Sequence, residues 1–221
     1  MAIHASSEFK GIGFDYDPNQ QPMFKAIVKE NLRKLSTLPT GKALLKKIKD
    51  ARPTFRRAGL PRSVNVVICP PIDRQFLIPG MKKDGTVVDQ GKVDSWKSGT
   101  IGFKLIPTLS SKTSVSADCG KSEGAAKYEA PHGPATGSTC TLAYSNTEIL
   151  SDTGLWAIPH ITMGHELIHC YHALYGQSKW DDKDEEWFTV GIKGFEASTY
   201  TENKLRNEGG FELRKKYFKD D

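Results

Sequence analysis

His165, Glu166 and His169 stand in the order H-E-x-x-H within the segment PHITMGHELIHCYHALYG. On a helix, residues four apart share one face a single turn apart, so both imidazoles can reach one zinc ion. The glutamate between them is then placed to take a proton from water. That donor set belongs to zinc-dependent hydrolysis of a carbonyl bond. With six histidines and twelve glutamates in 221 residues, the pattern arises by chance about once in a hundred such sequences. The flanking Thr162, Met163, Gly164, Leu167, Ile168, Cys170 and Tyr171 are all uncharged. Burying two imidazoles and a carboxylate among them carries a desolvation cost that a metal offsets.

A catalytic zinc takes three protein ligands and keeps one position open. His172 follows His169 by three residues, but one turn further along the same helix is too far for the same ion, which makes it a packing or orienting residue. Tyr175 occupies the position where a metzincin places its third histidine. A downstream carboxylate remains. Glu186, seventeen residues after His169, leaves room for the helix to end and a second helix to return across it; Glu185, Glu196 and Glu202 are alternatives. A solvated acidic run, Asp181 to Glu186, is the competing reading of the first two.

These residues need elements to hold them. The spacing of Phe24, Ile27, Val28, Leu32 and Leu35 predicts a helix from Pro22 to Leu35. LPTGKALLKKIKDA predicts a second, with Thr40 as N-cap and Leu44, Leu45 and Ile48 facing inward. Residues 63–70 and 139–145 read as strands, the latter as an edge strand able to pair with an extended substrate. Between them FLIPG, GTVVD and TIGFKLIP suggest short strands, and the small, polar stretch of about residues 110–138 suggests a long loop. A helix from Pro159 to Gly176 carries the H-E-x-x-H residues, acids open the next, and a last one covers Thr201 to Glu208 before Gly209 and Gly210. The expected fold class is α+β of zincin type: a small, mostly antiparallel sheet, flanking helices and a cleft beside the H-E-x-x-H helix. Residues 1–20 read as a loose N-terminal segment and 21–221 as one catalytic domain.

Composition narrows the partners. Thirty-one Lys and Arg against 26 Asp and Glu give a net charge of +5. The basic residues Lys42, Lys46, Lys47, Lys49, Arg52, Arg56, Arg57 and Arg62 lack the interleaved aromatics of a base-stacking surface, so nucleic acid is not the expected partner. They read first as a solvated face and second as a docking surface. Four cysteines without a C-x-x-C pair suit a reducing cytosol. No Sec-type signal opens the chain, and no apolar run reaches the length of a membrane-spanning helix.

HELIHCYHALYG followed by EEWFTVG resembles the zinc-binding region of the clostridial neurotoxin light chains, botulinum and tetanus. Their helix also runs from HELIH to Leu-Tyr-Gly, and their third ligand is a glutamate in an E-E-x-x-T-x-G segment; the linker between the two is much shorter here. On that resemblance the third ligand is Glu186. Arg214 and Tyr217 form R-x-x-Y, a pair that in those light chains stabilises the charged oxygen of the tetrahedral intermediate.

More of the chain is similar to the NleD-type zinc protease effectors: HELIH, E-x-x-x-T-V-G, TENKLRNEGG and R-x-x-Y, spread over residues 138–218. The resemblance implies a type III secreted zinc endopeptidase, with one Zn2+ per chain, acting as a monomer in the host cytoplasm. It implies cleavage of host mitogen-activated protein kinases in the activation loop. It also implies supporting roles for Thr201, Glu202, Asn203 and Arg206, with Thr201 capping a helix and Glu202 orienting a histidine or pairing with Arg206. Two other readings keep the same helix: a zinc protease toxin with a different protein substrate, or a basic binding module whose zinc is structural and closed by four ligands.

Overall fold

The structure is a computed structural model, and it describes residues 3–19, 21–57, 59–70, 90, 112–115, 126–127, 134–144, 146, 149–150 and 154–217. In chain order the elements are β1 (His4–Ala5), β2 (Gly11–Phe14), α1 (Phe24–Thr37), α2 (Pro39–Asp50), β3 (Val64–Cys69), β4 (Lys112–Val115), β5 (Cys140–Ala143), β6 (Ile149–Leu150), β7 (Trp156–Ala157), α3 (Pro159–Leu174), α4 (Asp182–Val190) and α5 (Glu202–Glu208).

Five strands form one sheet in the order β1-β2-β3-β5-β4, and β6 and β7 form a separate two-stranded ribbon. The sheet is mixed rather than mostly antiparallel. β2 pairs with β3, and β3 with β5, in parallel; the outer pairs β1–β2 and β4–β5 are antiparallel. The reason lies in β3, where Val64, Val66, Val67 and Ile68 are all fully buried. A strand covered on both faces reads as a continuous apolar run, the mark of a central parallel strand. A parallel neighbour needs a long crossover, and the α1–α2 hairpin between β2 and β3 supplies it.

Within the N-terminal segment, residues 4–5 and 11–14 pair as strands. Residues 11–14 are a sheet strand with Ile12 and Phe14 buried in the core. Gly11 has φ +86°, and a Cβ there would lie 2.8 Å from the Lys49 Cα, so the strand can enter beside α2 only as glycine.

β5 is not an edge either, because β3 and β4 flank it; among the described residues β4 is the terminal strand on that side. β4 arises inside the polar stretch expected to be loop, where small residues mask strand propensity. The expected strands FLIPG, GTVVD and TIGFKLIP lie outside the described residues.

In α2 the first helical residue is Pro39 and the cap position is Leu38, so Thr40 does not cap by its own hydroxyl. Instead the Thr40 N–H and Oγ1 donate to the Glu208 carboxylate, 2.9 and 2.6 Å away, so an acid from α5 satisfies this helix start across space.

α3 is buried around most of its circumference. It packs against α1, α2, α4, α5 and the strands β4 and β5. Its start is tied to the sheet by the Tyr144 hydroxyl, which donates to the Pro159 carbonyl at 3.1 Å. No helix among the described residues is long and apolar enough to cross a membrane.

Candidate active site

α3 presents His165 and His169 one turn apart, with Nε2 atoms 3.1 Å from each other. α4 brings a third atom. The Asp181 side chain accepts from the Lys183 and Asp184 N–H groups, starting a helix that lays Glu185 and Glu186 over α3. Adjacent helical residues project about 100° apart, so the two acids reach different sides of the same imidazole. Glu186 Oε2 lies 3.2 Å from His165 Nε2 and 3.3 Å from His169 Nε2. Glu185 Oε1 meets His169 on its other nitrogen, Nδ1, at 2.9 Å.

The far side of each ring fixes its proton. His165 Nδ1 is 2.9 Å from Glu202 Oε2, as His169 Nδ1 is from Glu185. An ionised carboxylate only accepts, so each Nδ1 donates and, in the neutral imidazole, each Nε2 is left with a lone pair. Two lone pairs and a carboxylate oxygen therefore converge. Glu186 Oε2 is buried and has no hydrogen-bond partner. Acceptors crowded in this way repel one another unless a cation sits between them. Bonds of about 2.0–2.2 Å at a tetrahedral centre hold neighbouring ligand atoms about 3.3–3.6 Å apart, close to the spacing here. The donor set fits zinc.

The alternative acids are placed elsewhere. Glu202 and Glu185 face the Nδ1 atoms, which makes them orienting groups, and the Glu196 carboxylate accepts from Gly194 N–H in an exposed turn. Glu202 is a node: Oε1 accepts from Arg206 Nε at 2.6 Å, and Oε2 accepts from Arg214 Nη1 at 3.0 Å besides His165. Thr201 caps α5 by accepting from Lys204 N–H. Asn203 exchanges two hydrogen bonds with the Arg214 backbone, at 2.8 and 2.7 Å, fastening the C-terminal segment to α5.

That clamp sets Tyr217, whose ring stacks on His165 with centroids 5.8 Å apart and planes 8° apart. The Arg214 guanidinium carbon lies 4.9 Å from the Tyr217 ring centroid. Arg214, Tyr217, both histidines and Glu186 thus come together from three separate segments, and the Glu166 charge acts on the Tyr217 phenol.

The Peptidase_M91 family model, described as effector protein, matches residues 13–217. The chain belongs to this family. No curated protein matches it by sequence. Among solved structures, the botulinum neurotoxin type G light chain is similar at 15% identity and TM-score 0.46, over 89% of this chain and 57% of that one. The catalytic domain of Clostridium botulinum neurotoxin serotype F is similar at 17% identity and TM-score 0.48, over 87% and 50%. The type D light chain gives 15% and 0.47, over 93% and 53%. The chain spans about half the length of these light chains.

Electrostatics follow from the same contacts. Burial opposes charge on His165, but the Glu186 and Glu202 carboxylates beside it outweigh burial and raise its pKa to about 9. His169 is raised well above its ordinary value against the same burial, by Glu185 and Glu186. A proton and a metal ion would therefore compete for the same Nε2 atoms. Burial raises Glu185, yet His172 and His169 overcome it and hold the carboxyl at about 2. The Tyr217 phenol is pushed far up by burial and then by the Glu186 charge, so it stays a proton donor.

The buried support of His169 is the part least visible in the sequence. His172 is 1% exposed and shares Glu185 Oε1 at 2.8 Å, while Thr189 Oγ1 lies 3.1 Å from His169 Nδ1. Phe188 stacks on His172 at 4.1 Å. The phasing of His172 and Glu185, three and then thirteen positions on, is a signal only once the α3–α4 turn is known.

Proposed function

We propose that the chain is a zinc-dependent endopeptidase, an effector delivered by a type III system that cuts host mitogen-activated protein kinases in the activation loop. The observation that carries the chemistry is the convergence of His165 Nε2, His169 Nε2 and the unpartnered Glu186 Oε2 within 3.3 Å. The family description supports the role of effector. The kinase target and secretion route rest on the NleD-type resemblance, as does action as a monomer in the host cytoplasm.

His165, His169 and Glu186 hold one Zn2+. When bound, zinc supplies Lewis acidity that polarises the scissile carbonyl and acidifies water. Glu166, 8% exposed and between the two histidines on α3, takes the proton from the attacking water and gives it to the leaving amine. Tyr217 donates to the developing oxyanion. Arg214, anchored to Glu202 beside the phenol, adds positive charge there. Glu202 and Glu185 hold the imidazoles with Nε2 facing the cleft. Strand β4, terminal in its sheet among the described residues and packed beside α3, takes the substrate-pairing role expected of 139–145.

The test is incubation of zinc-loaded protein with stress-activated kinases, reading fragments by mass spectrometry. Glu166→Gln should keep its zinc and lose cleavage. Cleavage by that variant at the wild-type rate would remove Glu166 as the base, and intact kinases with the wild type would remove the substrate assignment.

A further inference from the structure

The basic run at residues 42–49 is unused by the chemistry above, and the fold gives it a shape. An open groove of about 650 Å³ lies between the β1–β2 turn and the outer face of α2. Half-buried Phe9 and Leu45 form its apolar floor, and exposed Lys10, Lys42, Lys46 and Lys49 stand around it. Glu8 also lines the wall, but its carboxylate is engaged by Arg33 at 2.8 Å and Lys29 at 3.2 Å. Among the described residues, the four lysines have no ion-pair partner. On α2, Lys42 and Lys46 are four apart, and Lys46 and Lys49 three apart. Like charges at those spacings repel and weaken a helix, a cost that no ion pair among the described residues relieves.

The opposite face of α2 carries Gly41, Leu44 and Ile48, which are buried, and α2 packs on α3. The groove is thus at least a helix diameter, about 10 Å, from the zinc helix. Phe9 and Leu45 are half-buried beneath the charges, while Pro39 and Ala43, which also line the groove, are small and exposed. A recessed floor receives a side chain, whereas a lipid surface is met by apolar groups that protrude.

We propose that this groove docks an acidic segment of the protein substrate, carrying an apolar anchor side chain, at a distance from the bond that is cut. This rests on the endopeptidase reading. Docking there lowers KM for whole proteins and leaves the chemical step alone. It also makes association dependent on salt.

The probe is a fluorescein-labelled peptide with a Leu-x-Leu core flanked by Asp and Glu, measured by anisotropy against full-length zinc-loaded Glu166→Gln protein, which binds without cutting. Controls are the same peptide with Lys for each acid, the peptide with Ser for each Leu, and phosphatidylserine–phosphatidylcholine vesicles. Binding should require both acids and leucines, weaken as salt rises, and fall about tenfold in K42E/K46E. Both sites are exposed, so the melting temperature should hold, and K42Q/K46Q should give an intermediate loss. With Glu166 restored, K42E/K46E should raise KM for a whole kinase about tenfold, while kcat and cleavage of a short activation-loop peptide stay at wild-type values.

Equal binding of acidic and basic peptides, affinity unchanged in K42E/K46E, or vesicle binding lost in K42E/K46E without peptide binding would each overturn the proposal. Peptide binding lost in K42E/K46E, in a protein that cuts no substrate, would uphold the groove and refute the endopeptidase reading instead.

Discussion

Replacing Glu202 by Gln removes one charge at the point where three cations or donors meet and changes almost no volume. Its carboxylate is 3% exposed and accepts from His165 Nδ1, Arg206 Nε and Arg214 Nη1. Two losses should follow. The imidazole of His165 loses its charged anchor, and outer partners of metal-binding histidines are worth 10- to 100-fold in metal affinity, about 1.4–2.7 kcal/mol. Arg206, itself 3% exposed, loses a buried counter-charge, and breaking such a pair costs about 3–5 kcal/mol of stability. An amide oxygen still accepts one bond, so the lower part of each range is expected. Competition with a zinc-responsive chelating dye at a temperature where both proteins are folded gives the first quantity, and urea unfolding of chelator-treated protein gives the second. The reasoning is refuted if Glu202→Gln binds zinc as tightly as wild type while its stability falls. Glu202 would then brace the fold without orienting His165.

Two further outcomes are expected. Because His165 has its folded pKa raised to about 9, its charged-pair contribution is full below its ordinary value of about 6.5. That contribution fades as pH rises toward 9 in chelator-treated protein. The same proton blocks zinc, so the melting-temperature gap between zinc-loaded and chelator-treated protein should widen from pH 6.5 to 9; a constant or shrinking gap would contradict the assignment of Nε2 as ligand. Gly191→Ala puts a side chain at φ +82°, with its Cβ 2.7 Å from Thr201 Cβ. It should cost about 1–3 kcal/mol by thermal unfolding, and a loss below the error of the melt would show that the α4–α5 contact yields freely.

Much of the site could be read in the chain because its residues lie on regular elements. A period of four on a helix is enough to pair His165 with His169, and capping chemistry places Thr201 at a helix start. What could not be read depends on contacts across space. Nothing local distinguishes Glu185 from Glu186; the orientation of α4 on α3 decides that one meets Nδ1 and the other Nε2. Thr40 looks like a cap by type, yet Glu208 of α5 fills that role.

The sheet shows the same limit. Residues 139–145 alternate as an edge strand would, but pairing with β4 on one side and β3 on the other makes β5 internal. Residues 4–14 are polar and glycine-containing, and only the neighbouring β3 and α2 turn Ile12 and Phe14 into core residues.

The central claim is that His165, His169 and Glu186 close on one zinc ion and leave a coordination position open. Zinc content by mass spectrometry of the purified protein, paired with zinc K-edge absorption, tests it most directly. The expected result is about one zinc per chain, two imidazole nitrogens and further oxygen ligands at about 2.0–2.2 Å, and most of the metal lost in Glu186→Ala. Zinc retained at full stoichiometry by Glu186→Ala, or a shell containing sulfur, would contradict it.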